Sequence, residues 1–326
     1  MSRSAYLRIY MAALAGTTIL GTPSVYPQLW PDKPVRIIVP FSPGGGTDIQ
    51  ARVLATIFHE STGEPFVVEN RAGASGLIGA EETASSPPDG YTILFSTSSL
   101  SVNTTLYGSR MKTDAVKDLA PISWLTSTPL VLVTHPSVPA QSVSELVALA
   151  KLRPGFLNSG VNAPGTTSHL SAEMLKQIAG IEALIVPYKG GGASILALMS
   201  GEIDYLFATG PVASAARHSG KVRLLAVTTA KKSSAFPDLP TINTFYPGFE
   251  ADNWYAMWFP AGTPRDIVTK MNGLIVNALK NAKVRDFMVK EGLDPVGSTP
   301  EALEVQIKRE IVKYAEVIRK GNIKLQ

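Results

Sequence analysis

Short β-branched runs that stop at a glycine cluster and pass directly into helical spacing recur along this chain, and they constrain its fold more than any other feature. The first run, 35–40 (VRIIVP), ends at Pro43-Gly44-Gly45-Gly46-Thr47-Asp48, after which Ile49, Val53, Leu54 and Ile57 return at helical intervals. Further strands are predicted over 66–69, 91–95, 130–134, 185–187 and 223–228. Helices are predicted over 146–150, 169–178, 193–200, 265–281 and 299–320, the first behind a Ser142 to Glu145 capping box. Such alternation needs crossover connections and implies parallel sheet covered by helices. The rhythm restarts at the hydroxyl-rich turn 160–168 and again at Tyr188-Lys189-Gly190-Gly191-Gly192. Two α/β lobes account for that restart, with the chain crossing between them near 124–130 and 225–229. Ligands of open α/β sheets bind at the carboxyl ends of strands, so a cleft between the lobes is the expected site.

The N-terminus reads as an address label. Arg3 and Arg8 precede an uncharged, mostly apolar stretch, 9–20, and small, turn-forming residues follow over 21–27. This fits a signal peptide, assigned to 1–26, because the apolar run is shorter than the ~20 residues needed to cross a bilayer. The two arginines are the only charges before Asp32, so removing them lowers the formal charge of +4 by two. So even a balance, with no basic stripe, argues against nucleic-acid binding. The sequence holds no cysteine, which excludes disulfides, thiolate zinc sites, iron–sulfur clusters and a catalytic thiol. His59, His135, His169 and His218 show no metal-ligand spacing. Neither a metal nor a cofactor is expected.

What remains is a set of donor-rich, uncharged strand ends. A glycine turn at a helix start presents unpaired N–H groups at the positive end of the helix dipole, which suits an anion; a tight turn capped by Thr47 or Asp48 is the alternative. The nucleotide motifs do not match, since neither G-x-x-x-x-G-K-[ST] nor G-x-G-x-x-G occurs here. Gly165-Thr166-Thr167-Ser168-His169 opens a second helix, and Ser96, Thr97, Ser98 and Ser99 follow the 91–95 strand. Ser75 lacks the last glycine of G-x-S-x-G, which leaves a serine hydrolase built on Ser75 or on 96–99 as the enzyme alternative. His169 and Glu173 at i, i+4 lack a third metal ligand. Trp254, Tyr255 and Trp258 read as core or interlobe packing, and Lys189 and Arg71 as cations beside glycine turns.

Taken in order, FSPGGGTDIQAR from Phe41, VENRAGASGLIGA from Val68, PDGYTIL from Pro88, DLAPI from Asp118, PYKGG from Pro187, GEID from Gly201, DLPTI from Asp238 and PAGTP from Pro260 resemble the signatures of the Bug/TctC family. These are extracytoplasmic solute-binding proteins of tripartite tricarboxylate transporters, and the likeness covers nearly all of the chain after 26. It implies a type II periplasmic-binding-protein fold, with lobe 1 formed by 27–125 and 229–326 and lobe 2 by 126–228. It also implies a periplasmic monomer that closes on a small carboxylate, performs no chemistry and delivers its ligand to integral-membrane transporter subunits; a solute sensor for a signalling partner shares every local feature. Carried onto this sequence, the ligand-binding loops are Ser42, Gly44, Gly45, Gly46, Thr47 and Asp48, facing Gly165, Thr166, Thr167, Ser168 and His169. Ser96, Thr97 and Ser98, with Tyr188, Lys189 and Gly190, complete the walls. Gly191-Gly192-Ala193 departs from the usual G-x-G-P-A-like pattern, and Phe207 to Gly210 lacks an acidic residue often found there.

Overall fold

A computed structural model describes residues 30–233, 235–320 and 323; the expected signal peptide lies outside them. The strands are β1 (Val35–Val39), β2 (Phe66–Asn70), β3 (Thr92–Thr97), β4 (Leu119–Thr134), β5 (Asn158–Val161), β6 (Leu184–Pro187), β7 (Tyr205–Thr209), β8 (Arg223–Val227), β9 (Asp252–Pro260) and β10 (Asp294–Pro295). The helices are α1 (Gly46–Thr62), α2 (Leu77–Ala84), α3 (Ser99–Tyr107), α4 (Val143–Leu152), α5 (Thr167–Ala179), α6 (Gly191–Met199), α7 (Gly210–Ala216), α8 (Arg265–Lys280), α9 (Ala282–Lys290) and α10 (Pro300–Lys320).

Hydrogen bonding links the strands in the order β2-β1-β3-β9-β4-β7-β5-β6, with β8 and β10 beside β4. β1 runs parallel to β2 and β3, and β5 runs parallel to β6 and β7, as the βαβ rhythm requires. β4 is shared. Its Leu119 to Pro129 portion pairs antiparallel with β9, whereas Leu130 to Thr134 lie between β7 and β8. The result is two lobes joined through one long strand.

Strand periodicity divides each sheet into two faces. In the first lobe Val35, Ile37, Val39, Ile93, Phe95, Tyr255, Met257 and Phe259 pack with α1 and α8, while Ile38, Leu94, Trp254, Ala256 and Trp258 face Leu303 and Ile307 of α10. In the second, Leu130, Leu132, Tyr205 and Phe207 lie on one face, and Val131, Val133, Leu206 and Ala208 on the other. Both faces are covered, so the strands read as continuous apolar runs rather than alternations. Truncating a buried aromatic such as Phe95 to alanine is expected to cost ~3–5 kcal/mol.

Helix starts follow local rules. Ser142 Oγ accepts from Glu145 N at 3.2 Å, but Glu145 Oε2 reaches back to Gln141 N rather than to the capping residue itself. Thr166 Oγ1 caps α5 by accepting from His169 N. In contrast, α1 and α6 begin after Gly45 and Gly190 with no side-chain cap, so their first-turn amides face outward. The carboxyl ends of β1, β3, β5, β6 and β7 deliver these turns to one place between the lobes.

Candidate functional site

The strand ends enclose a small cavity of about 30 Å³ lined by Gly45, Gly46, Thr47, Thr97, Thr166 and Thr167, together with Phe41, Ser99, Asn162, Gly191, Thr209, Asn253 and Tyr255. Among the described residues no charged side chain lines it. Three of its donors, Tyr255 Oη, Thr209 Oγ1 and Asn253 Nδ2, are buried with no hydrogen bond of good geometry, Thr209 and Asn253 standing close enough to interact weakly with the Tyr255 hydroxyl. The amide of Asn253 is oriented by its oxygen, which accepts from Ser98 Oγ at 3.0 Å and Thr167 Oγ1 at 3.1 Å, so its NH₂ turns inward. Burial pushes the Tyr255 phenol above its ordinary value, with Thr209 and Asn253 pulling the other way, so it stays a neutral donor. Leaving buried donors unmet costs ~1–3 kcal/mol each. Their convergence is an invitation to an acceptor.

Gly46 leaves the room for one. A Cβ there would stand 2.3 Å from Tyr255 Oη and 2.9 Å from Thr209 Oγ1. The positive ends of α1 and α6 flank the same space, adding backbone donors and about half a unit charge each.

The expected residues divide into several groups. Gly45, Gly46, Thr47, Thr97, Thr166 and Thr167 line the cavity. Ser42, Gly44 and Gly190 form the seam, where Ser42 N donates to Lys189 O at 2.9 Å across the lobes. Gly192, in the segment that departs from the family pattern, abuts the Pro43 carbonyl so closely that a Cβ would lie 2.1 Å from it. The lobes are therefore in contact at these two loops.

Other expected residues stand behind the wall. Asp48 turns away from the cavity: its carboxylate accepts from Gly44 N, Asn70 Nδ2 and the Arg52 guanidinium at 2.9–3.0 Å. Burial pushes its pKa up, but these hydrogen bonds and the Arg52 charge outweigh that and hold it below the ordinary carboxylate value. Ser96 is buried inside β3, which runs on past the expected end at Phe95 to Thr97 because it pairs with β9, and Ser98 directly precedes α3. Ser168 Oγ accepts from Asn162 N. His169 Nδ1 accepts from Gly165 N at 3.0 Å, and burial lowers its pKa, so the ring is a neutral brace for the second loop. Arg71 is tied to Glu69 at 2.7 Å and Glu82 at 3.1 Å. Tyr188 and Lys189 line a second cavity beyond Phe41. Tyr188 donates to Glu202 at 2.6 Å, and burial followed by that bond pushes its phenol up to about 12. Ser75 Oγ pairs with Tyr107 Oη at 2.6 Å, and no histidine among the described residues hydrogen-bonds to it or to Ser96, Thr97, Ser98 or Ser99. Among the described residues no three His, Asp or Glu side chains gather as a metal site.

Asn253 escaped the sequence reading, Tyr255 was read as packing, and Thr209 was noted only within a segment that lacks an acidic residue. They come from the start of β9 and the end of β7, and the signal for Asn253 was a polar residue beside an aromatic run.

A family model for the tripartite tricarboxylate transporter family receptor matches residues 50–323. The chain belongs to that family. Protein BugT of Bordetella pertussis is 38% identical over 300 residues, covering 91% of this chain and 92% of BugT. The structure of the periplasmic binding protein BugD is 32% identical with a TM-score of 0.87, covering 91% of this chain and 100% of BugD. R. palustris Rpa4515, solved with adipate, is 34% identical with a TM-score of 0.88, covering 90% of this chain and 99% of that one. The two-lobed architecture is thus the periplasmic-binding-protein fold, and the family is one of transporter receptors. No described helix is long and apolar enough to cross a membrane.

Proposed function

We propose that this receptor closes its lobes on one carboxylate of a small organic acid and presents the closed complex to the membrane subunits of a tripartite transporter. The observation that carries the reading is the convergence of Tyr255 Oη, Thr209 Oγ1 and Asn253 Nδ2, buried and with no well-formed hydrogen bond, on an uncharged space at the N-termini of α1 and α6. A carboxylate satisfies all three donors without leaving a protein charge unpaired when the cleft is open. The adipate held by the R. palustris relative is an acid of this class. Hydrogen bonds to a charged group are worth ~1.5–3 kcal/mol each, so three or four offset association costs and still leave micromolar affinity, about −8 kcal/mol.

In this reading the protein captures and releases, without covalent chemistry. Residues 1–26 direct export to the periplasm and are removed. The lobes comprise 27–125 with 229–326, and 126–228; the change of β4 partners after Pro129 supports the first boundary. The protein acts as a monomer. A thermal-shift panel of mono-, di- and tricarboxylates tests the reading, because a ligand at a hundredfold excess over its Kd stabilises by about 2.7 kcal/mol. A folded protein that responds to none of them contradicts it.

A further inference from the structure

The lobes are joined at one level of the shared strand. Pro129 is the last residue of β4 to pair with β9, opposite Asp252, and Leu130 already pairs with Thr209 of the other lobe. Ala251 N donates to Thr228 O at 3.2 Å and Thr228 N to Leu130 O at 3.0 Å, so the crossing segments are tied together through the residue next to Asp252. Rotation of one lobe against the other turns about this point.

An acid pair is buried beside it. Asp252 Oδ1 and Glu310 Oε2, the latter on α10, are shielded from solvent with no hydrogen bond of good geometry, and Glu310 as a whole is only 5% exposed. Tyr314 stands against both acids: its hydroxyl donates to Asp252 O at 3.4 Å and lies close enough to Glu310 to interact weakly. Glu250 faces Asp252 from the incoming segment, Pro129 opposite it carries no charge, and the cation acting on it among the described residues is Lys313, 3.7 Å from Glu310 Oε1. One ammonium therefore serves three carboxyl groups. The cover over the pair comes from both lobes, since Tyr314 packs in one cluster with Val102 and Leu106 of α3 and with Leu170 of α5 across the cleft.

We infer that Asp252, paired with Glu310 at the lobe crossing, is a proton-binding site coupled to closure: a proton enters as the lobes shut and leaves as they open. The inference rests on the closure reading above. Opening withdraws Leu170 and admits water to the acids, whereas the shut form buries two carboxyl groups that a single shared proton reconciles. Burial holds the Asp252 carboxyl above its ordinary value of 3.8; Lys313 pulls against this, and Glu250 and Glu310 reinforce it. The sign follows. Closing takes up a proton, so affinity for a carboxylate rises as pH falls through the raised closed-state value, and the gain is complete below the ordinary one. Burial of His169 on closure would release a proton, the opposite sign.

Calorimetric titration of the purified protein between pH 7.5 and 4.5, in buffers of unlike ionisation enthalpy, tests it with the tightest binder among adipate, succinate and citrate. The ligand's own titration is common to parent and variants, so the difference between proteins reports the site. Asp252→Asn mimics the protonated acid: it should bind more tightly than the parent at pH 7.5 and take up fewer protons, and the parent should regain affinity on it by up to about tenfold per pH unit as pH falls. Glu310→Gln, which removes the repulsion, should move the parent's linkage to lower pH. Without any ligand, the small-angle scattering radius of gyration should be smaller at pH 4.5 than at pH 7.5 for the parent and unchanged for Asp252→Asn. Identical proton uptake and pH profiles in the parent and Asp252→Asn, or in the parent and Glu310→Gln should the first variant not fold, overturn the inference while the carboxylate reading stands. Binding of none of the three acids counts against that reading, and the ligand-free scattering comparison then decides the inference by itself.

Discussion

Tyr255 offers the sharpest test at the level of single atoms. Its hydroxyl is fully buried and makes no well-formed hydrogen bond beyond weak contacts with Thr209 and Asn253, so removing it should relieve a desolvation cost larger than the bonding it gives up. Tyr255→Phe is therefore expected to raise the melting temperature of the free protein slightly and to weaken carboxylate binding about tenfold or more. A fall in both would mark the residue as structural. Gly46→Ala should be harsher on binding: alanine suits the helix start, but its methyl group would occupy the acceptor's place beside Tyr255 and Thr209. His169 contributes a pH dependence. Its folded pKa is depressed, so the unfolded chain takes up a proton first and stability is lost as pH falls below the ordinary value of 6.5. His169→Asn, which can still accept from Gly165 N, should flatten the melting temperature between pH 7 and 5. The hydroxyl and glycine residues that line the cavity were legible because they belong to contiguous turns. Asp48 was misplaced although its i, i+4 spacing to Arg52 offered a sequence-level reason to read it as a brace.

At the scale of elements, β1, β2, β6 and β8 and the long helices α8 and α10 were legible, since each is a compact run with one clear period. Strand β9 was not, because both its faces are buried and its aromatic run carries no alternation. That omission hid Asn253 and left Tyr255 read as packing alone. α3 was not predicted: its start is rich in Ser and Thr, which favour caps and turns over helix interiors. The α1 loop depends on the Asp48 carboxylate, whose folded pKa is lowered. Its contribution is complete above the ordinary value of 3.8 and is lost as pH falls through the lower folded value. Urea midpoints recorded between pH 2 and 6 should show a shallower acid limb for Asp48→Asn than for the parent. Identical limbs would mean the brace adds nothing.

Across the whole molecule, function depends on two loops meeting. Gly192 faces the Pro43 carbonyl across the lobes, and a Cβ there has only backbone to push against. Gly192→Ala should hold the cleft open: affinity falls, and the small-angle scattering radius of gyration no longer decreases when a carboxylate is added. An unchanged radius response would show that the seam tolerates the methyl group. Two lobes were legible from the restart of the βαβ rhythm, but the sharing of β4 between them was not, since no sequence period marks a change of partner. The account stands most directly on where a bound acid group lies. A crystal structure with the tightest carboxylate from the thermal-shift panel should place its oxygens within about 3.2 Å of Tyr255 Oη, Thr209 Oγ1 and Asn253 Nδ2. An acid group bound elsewhere, with those three donors still unmet, contradicts it.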